Sequence, residues 1–290
     1  MISRRSILIG AAGSLLSGAA ARAGEFTPGD SLDEIMKRGT IRIGAYRDFA
    51  PYSFEEDGVL KGTDIDIAKL IGEGLKIKAE PELRNAGEDV DTDLRAHVWR
   101  GPVEGKVVNI MLHMPIDHEL SARNDMVVMG APYAGEKTVM VWSKSKIGEI
   151  PNMVSFKDNP ISVNVNSLAD NFLMSFAGGA LLKSIVHKQT FDQAFEAMVN
   201  EESTATMGSL NEIEWAFRKY PEKRSRYIIA STPPAGLSLG NWGYGIAVRT
   251  NYHELFYAVE EVINNAIADG RMKKIFESYG LTYTPPPLKE

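Results

Sequence analysis

The chain has 290 residues, no cysteine and a formal net charge of -6. The lack of cysteine excludes disulfides, thiolate metal sites and a cysteine nucleophile, and the acidic balance argues against nucleic acid or an anionic membrane surface as a partner. With 44% hydrophobic residues, a chain of this length can bury the core of two modest domains or one large one.

The N-terminal segment predicts export from the cytoplasm. Arg4 and Arg5 precede an apolar stretch over residues 7–16, and a small-residue cleavage site follows at residues 21–23. This pattern is typical of a cleavable signal peptide over residues 1–23, and its twin-arginine form favours Tat over Sec export. Cleavage removes three arginines and no acid, which takes the formal charge from -6 to -9. Because no other segment approaches the ~20 apolar residues of a transmembrane helix, we predict a periplasmic protein without a membrane span.

Short strand patterns then alternate with amphipathic helix patterns, which is typical of an α/β fold with mainly parallel sheets. Strands are predicted near residues 40–45, 107–112, 138–142, 161–165, 204–207, 227–230 and 244–248. Capping signals predict helices after Thr63 and Ser167. Further helices are predicted from about Ser209, around Phe191 to Met198, and along Leu255 to Ala266. Three consecutive prolines at 285–287 predict an irregular tail.

Five strings in order along the mature chain resemble family 3 solute-binding proteins. They are RIGA at 42–45, FAPYSF at 49–54, GTDIDIA at 62–68, APY at 131–133, and ADG at 268–270 with IF at 275–276 and Gly280. One such string is weak evidence, whereas five at the correct spacing are specific. The resemblance implies a two-lobed α/β fold like that of periplasmic binding proteins, each lobe a mainly parallel sheet flanked by helices. Two hinge strands would join the lobes, and hinge closure would trap a ligand between them.

The same resemblance places the lobes and the cleft. Lobe 1 would comprise residues 24–135 and 243–290, and lobe 2 residues 136–242. The cleft loops would follow the carboxyl ends of strands, where α/β sheets bind ligands. The candidate ligand-binding residues are Tyr46, Phe49, Tyr52, His113, Met114, Ile116 and Arg123 in lobe 1, and Asn166, Ser167 and Ser209 in lobe 2.

Arg123 lies ten residues before Tyr133, which is the spacing of the family's carboxylate-binding arginine. A guanidinium offers a carboxylate two charge-assisted hydrogen bonds, so Arg123 would hold an anionic group. The alternative is a solvated arginine in an inserted turn. Tyr46 and Phe49 would stack on the ligand or form ordinary interlobe core, and the segment at 166–167 would donate hydroxyl or N–H groups.

Two departures from the family narrow the expected ligand. Ser209 stands where amino-acid binders usually carry an aspartate for the ligand ammonium, and Ile116 stands where they tend to carry a threonine. An unpaired buried ammonium is costly. We therefore predict a small organic ligand other than an ordinary α-amino acid, acidic or aromatic in character, with an ABC permease as a partner.

The stretches at 93–101 and 109–115 differ from transporter-linked binders and are similar to proteins that accompany pyrroloquinoline-quinone-dependent (PQQ) alcohol and methanol dehydrogenases. An accessory role beside such a dehydrogenase is the first alternative. The second is a dehydratase-like lyase on the same fold, with Asp117 or Glu119 as general acid.

The sequence carries no motif for nucleophilic, nucleotide-dependent or zinc-protease chemistry, so we predict a protein that is not an enzyme and needs no cofactor. Soft metal ligands are present at Met111, His113, Met114 and His118. Because strand alternation separates Met114 from the first two, we predict no metal site.

Overall fold

The structure is a computed structural model that describes residues 30–101, 106–149, 151–237 and 240–287. The predicted signal peptide lies outside the described residues. The strands are β1 Thr40–Tyr46, β2 Phe54–Glu56, β3 Val59–Lys61, β4 Lys78–Arg84, β5 Ile110–Pro115, β6 Val127–Ser143, β7 Ile161–Asn164, β8 Ile185–Lys188, β9 Ala205–Ser209, β10 Tyr227–Ile229 and β11 Asn241–Arg249. The α-helices are α1 Leu32–Arg38, α2 Thr63–Leu75, α3 Val90–Leu94, α4 His118–Arg123, α5 Lys144–Ile147, α6 Leu168–Ser175, α7 Phe191–Val199, α8 Leu210–Phe217, α9 His253–Ala268 and α10 Arg271–Ser278.

The main sheet runs in the order β4-β1-β5-β11-β6-β9-β7-β8, with β10 also paired to β6. β1 pairs in parallel with β4 and β5, and β7 pairs in parallel with β8 and β9. The central strands β11 and β6 pair antiparallel with each other and with β5 and β9. Two parallel groups of strands are thus joined by an antiparallel centre.

The long strand β6 connects these two groups. Its residues 127–137 pair with β11, and its residues 138–142 pair with β9. The change of partner falls between Lys137 and Thr138, and the lobe boundaries stay a prediction.

Each group of strands has its own hydrophobic core, and we call the two halves the first and the second lobe. In the first lobe, α2, α9 and α10 bury Ile67, Ile263 and Phe276 against the sheet. In the second lobe, α7 and α8 bury Phe195 and Ile213. Each such side chain contributes roughly 1.5–3 kcal/mol when it is fully buried. No described helix combines the length and the apolar composition needed to cross a bilayer.

Of the two predicted helix caps, the one at Ser167 is confirmed, and the structure adds a cap at Ser209. The Ser167 hydroxyl accepts from the Asp170 backbone at 3.1 Å, and the Ser209 hydroxyl accepts from the Glu212 backbone at 3.2 Å. The predicted capping box at Thr63 is wrong, because the N-cap is Gly62 and it makes no side-chain cap hydrogen bond. Gly62 lies at φ 118° against the backbone of the 49–54 loop, where a Cβ atom would clash.

Candidate functional site

A cavity of about 230 Å³ lies where the two lobes meet. Its walls are formed by Phe49, Tyr52, His113, Glu136, Thr138, Asn164, Ser167, Leu168, Ala169, Phe191, Met207, Gly208, Ser209, Glu212 and Trp242. The volume is below the roughly 300–1,000 Å³ of pockets for drug-sized molecules, so the cavity suits a small metabolite.

His113 forms the floor of the cavity on the side of the first lobe. Its Nδ1 lies 3.0 Å from Asp64 Oδ2, and the Tyr133 hydroxyl donates to Asp64 Oδ1 at 2.7 Å. The His113 backbone N–H donates to the same Tyr133 hydroxyl at 2.9 Å. The imidazole stacks on Tyr244 with ring centroids 4.0 Å apart. Because Asp64 is fully buried, this network holds the imidazole in one orientation.

The backbone of His113 lies at φ 61°, in the left-handed region that side chains other than Gly, Asn and Asp rarely adopt. Such a conformation costs on the order of 1–3 kcal/mol and persists only where its surroundings impose it. The contacts with Asp64 and Tyr133 supply that constraint, and they turn the ring towards the cavity.

Glu136 lies on β6 at the crossing between the lobes and is only 4% exposed. The Tyr52 hydroxyl donates to one carboxyl oxygen, and the Lys137 backbone N–H donates to the other at 2.9 Å. Burial is the main cause that raises the pKa of Glu136, to about 7. This group therefore titrates near neutral pH.

The second lobe contributes the starts of two capped helices. Ser209 caps α8, and the Glu212 carboxylate accepts a hydrogen bond from the Ser209 backbone N–H at 3.3 Å. Burial also raises the pKa of Glu212. At the start of α6, Asp170 accepts from the Asn166 backbone at 2.9 Å. Each helix start thus carries an acid of its own, which offsets the positive end of the helix dipole.

The structure brings five of the residues predicted from the sequence to the cavity wall: Phe49, Tyr52, His113, Ser167 and Ser209. Three of them come from the first lobe and two from the second.

The other five predicted residues lie outside the cavity lining. The Tyr46 hydroxyl donates to Asp93 at 2.7 Å, and Met114 is buried in a hydrophobic cluster beneath the sheet. Ile116 follows β5, where its backbone N–H donates to Gly243. Asn166 is in the turn before α6, at φ 61°.

Arg123 is the most important of these five. Its side chain is 54% exposed, and it forms a two-pronged ion pair with Asp91 through Nε and Nη2. The sequence spacing to Tyr133 matched the family, but α4 ends at the surface and directs the guanidinium to Asp91. Arg123 is therefore not among the residues that line the cavity, and no contact there supports its expected role in binding an anion.

Sequence reasoning missed Glu136, Glu212, Phe191, Asn164 and Trp242, which also line the cavity. Glu136 could have been found, because it is an acid within the largely apolar segment 127–142. The sequence pattern around the others gives no such indication, because an aromatic residue or an acid on an amphipathic helix looks the same in the sequence whether it faces a cavity or the solvent.

The two acids proposed for a lyase, Asp117 and Glu119, are exposed. Asp117 serves as the N-cap of α4, where it accepts from the Leu120 backbone at 2.7 Å. Within the described ranges, no group of three or more His, Cys, Asp or Glu residues is arranged to hold a metal ion.

Comparison with known proteins identifies the fold. No family model and no curated protein matches the sequence. Among solved structures, the chain is similar to an ancestral cationic amino acid solute-binding protein, AncCDT-1, at 23% identity and a TM-score of 0.67, covering 85% of this chain and 98% of that one. A second structure of AncCDT-1, described as a precursor of cyclohexadienyl dehydratase, matches at 23% identity and a TM-score of 0.57, covering 85% and 97%.

An amino acid ABC transporter substrate-binding protein from Streptococcus pneumoniae, bound to L-arginine, matches at 19% identity and a TM-score of 0.58. This match covers 88% of this chain and all of that one. The chain thus has the two-lobed fold of periplasmic binding proteins, as the sequence predicted.

Proposed function

We propose that the protein is a periplasmic solute-binding protein that captures a small organic ligand by closing two lobes around it and passes the ligand to an ABC permease. One observation carries this proposal: Tyr52 of the first lobe, Glu136 on the crossing strand and Glu212 of the second lobe line a single cavity. A ligand that contacts both lobes stabilises the state in which they are close together.

The lobes also contact each other beside the cavity through α8. Trp215 packs against Phe54, with ring centroids 5.3 Å apart, and against Tyr279 at 6.4 Å. Glu214 accepts from the Thr282 backbone at 2.6 Å. These direct contacts between the lobes would add to the contacts made by the ligand in stabilising the closed arrangement.

We further propose that the ligand is not an ordinary α-amino acid. The similar structures are described as binding cationic amino acids or L-arginine. In the described part of this cavity wall, no Lys or Arg is present to hold an α-carboxylate. At the Ser209 position, where the family usually carries the acid for an α-ammonium, a hydroxyl caps α8, so acids that could hold an ammonium come from Glu136 and Glu212 instead.

The experiment is thermal unfolding of the ligand-stripped mature protein against a library of small metabolites, followed by small-angle X-ray scattering with each hit. A ligand that binds only the folded protein stabilises it by about 2.7 kcal/mol at 100 times its Kd. We expect a higher midpoint and a smaller radius of gyration with the same compound. A midpoint shift without compaction would contradict capture by lobe closure.

A lyase on the same scaffold is a second candidate, because the pKa of Glu136 near 7 suits a general acid in the cavity. Incubating each hit with the protein, and with Glu136→Gln, tests it by mass spectrometry. Recovery of every hit unchanged would remove the lyase. The accessory role beside a PQQ-dependent dehydrogenase and the export route stay predictions from the sequence.

A further inference from the structure

We infer that the ligand is a small organic cation, an ammonium or guanidinium compound without a carboxylate, held between Glu136 and Glu212. The inference rests on the proposed function and names the chemical class that the cavity would accept.

The charges around the cavity favour a cation. The acidic and basic side chains in its described lining are Glu136, Glu212 and His113, beside the phenol of Tyr52, and no Lys or Arg is among them. His113 is itself paired with the buried Asp64. Three carboxyl groups thus surround one imidazole, so a bound anion would be repelled and a bound cation would be attracted.

Hydrogen-bond acceptors also remain for a donor-rich ligand. An ionised carboxylate has about four acceptor positions, and each oxygen of Glu136 accepts from one protein donor, Tyr52 or the Lys137 backbone. The side-chain oxygen of Asn164 is buried without a hydrogen-bond partner in the described protein, and Asn164 lines the cavity. An ammonium or guanidinium group has only donors, so it can satisfy these acceptors.

Aromatic side chains form much of the remaining wall. Phe49 and Tyr52 lie with ring centroids 4.8 Å apart on the first lobe. Phe191 of the second lobe and Trp242 of β11 also line the cavity. Aromatic faces attract cations through the ring quadrupole, most strongly where water is excluded. Carboxylates combined with aromatic faces suit an organic cation better than an acid.

The described cavity lining offers neither Lys nor Arg as a partner for a carboxylate. Arg123 is engaged by Asp91 at the surface. The starts of α6 and α8 reach the cavity, but Asp170 and Glu212 occupy their first turns. A ligand carboxylate would therefore have to approach helix ends that already carry acids.

To hold a cation, the two glutamates must be ionised. Burial raises the pKa of both, and each lies in the electrostatic field of other acids: Glu212 acts on Glu136, and Asp192 acts on Glu212. A cation bound between them would favour their ionised forms, so binding near neutral pH should release protons.

The experiment is titration calorimetry of the ligand-stripped mature protein with three sets of probes. Agmatine and cadaverine are cations without a carboxylate, L-arginine and L-lysine are the same frames with an α-carboxylate, and hexanoate and glucose are anionic and neutral controls. We expect at least one of the two cations to bind, its amino acid to bind on the order of tenfold more weakly, and hexanoate and glucose not to bind.

Variants locate the binding. Glu136→Gln and Glu212→Gln should each lower the affinity for the cation by on the order of 10- to 100-fold, the range for hydrogen bonds to charged groups. Glu222→Gln removes the same charge from an exposed position outside the cavity lining and should leave affinity unchanged. Circular dichroism and the unfolding midpoint verify that each variant is folded, and glutamine retains the cap at position 212.

The possible failures are distinguishable. Binding of hexanoate or glucose without either cation, or tighter binding of the amino acids than of their carboxylate-free counterparts, would overturn the cation assignment and leave the solute-binding function standing. Cation binding that neither glutamine variant weakens would overturn the assigned contacts. Failure of all six probes to bind, together with an unresponsive metabolite library, would overturn both the inference and the proposed function.

Discussion

Two acid–base pairs of the first lobe have almost the same length and opposite surroundings. His113 Nδ1 lies 3.0 Å from Asp64, and Arg123 Nε lies 2.9 Å from Asp91. The side chains of the first pair are 13% and 0% exposed, whereas those of the second are 54% and 37% exposed. The base of the first pair lines the cavity, and the base of the second lies outside its lining.

Burial, rather than distance, distinguishes these two pairs. An exposed ion pair is solvated and screened, so its net contribution is small. Removing one member of a buried pair leaves the other without its partner away from water, which is costly. The spacing to Tyr133 predicted Arg123 as a ligand-binding residue, whereas the pair that can orient a group in the cavity is Asp64–His113.

The largest expected effect is that of Asp64→Ala. It removes the acceptor for both His113 and the Tyr133 hydroxyl, and we expect a loss of about 3–5 kcal/mol in the free energy of unfolding. Urea denaturation measures it, with Asp91→Ala as the matched control at the exposed pair. Equal losses in the two variants would contradict the role assigned to burial.

Glu136→Gln should change how stability depends on pH. The folded protein raises the pKa of Glu136 from an ordinary 4.5 to about 7, so the folded state binds this proton more tightly than the unfolded state. The groups facing it are Tyr52, Tyr244, Glu212 and His113. Stability from this group is fully present below pH 4.5 and is lost as the pH rises to about 7.

The glutamine side chain does not titrate. As the pH rises across this range, the free energy of unfolding of the variant should therefore increase relative to that of the wild type, by up to about 3 kcal/mol at roughly 1.4 kcal/mol per pKa unit. Urea denaturation at several pH values measures the difference. A difference that stays constant with pH would contradict a raised pKa for Glu136.

Tyr133→Phe tests the support behind the buried pair. The lost hydroxyl donates to Asp64 and accepts from the His113 backbone, and we expect a loss of roughly 1–3 kcal/mol in the free energy of unfolding. Tyr257→Phe, at a position 61% exposed, is the control and should have no effect. The ¹⁵N chemical shifts of the His113 ring should also change. Unchanged shifts would show that Tyr133 does not position His113.

The smallest effect is expected for Arg123→Ala. Because the guanidinium is exposed and lies outside the cavity lining, the unfolding midpoint and the affinity for any captured ligand should stay as in the wild type. The hydrogen bond from Arg123 lowers the pKa of Asp91, so carboxyl NMR should show that pKa rising towards its ordinary value in the variant. A clear loss of ligand affinity would restore Arg123 to the binding site.

Much of the fold could be predicted from the sequence, because local patterns carry it. The alternation of strands and helices, the cap at Ser167 and the long helix α9 follow from apolar spacing and from side-chain hydrogen bonds within a few residues. The order of the five family-like strings predicted the two-lobed fold, and the loops at Phe49 and His113 were expected at the cleft. These features depend on residues close together in the chain or on a pattern repeated along it.

The chemistry of the cavity was decided by tertiary structure. His113 meets Asp64 across 49 positions, Tyr52 meets Glu136 across 84, and Arg123 meets Asp91 across 32. No local pattern specifies which acid a base will meet at such separations, or whether water will surround the pair. The sequence by itself predicted seven of the strands and their order but not β2, β3, β4 or β8. Only the packing of the two lobes determined which charges are buried and therefore which of them can act on a ligand.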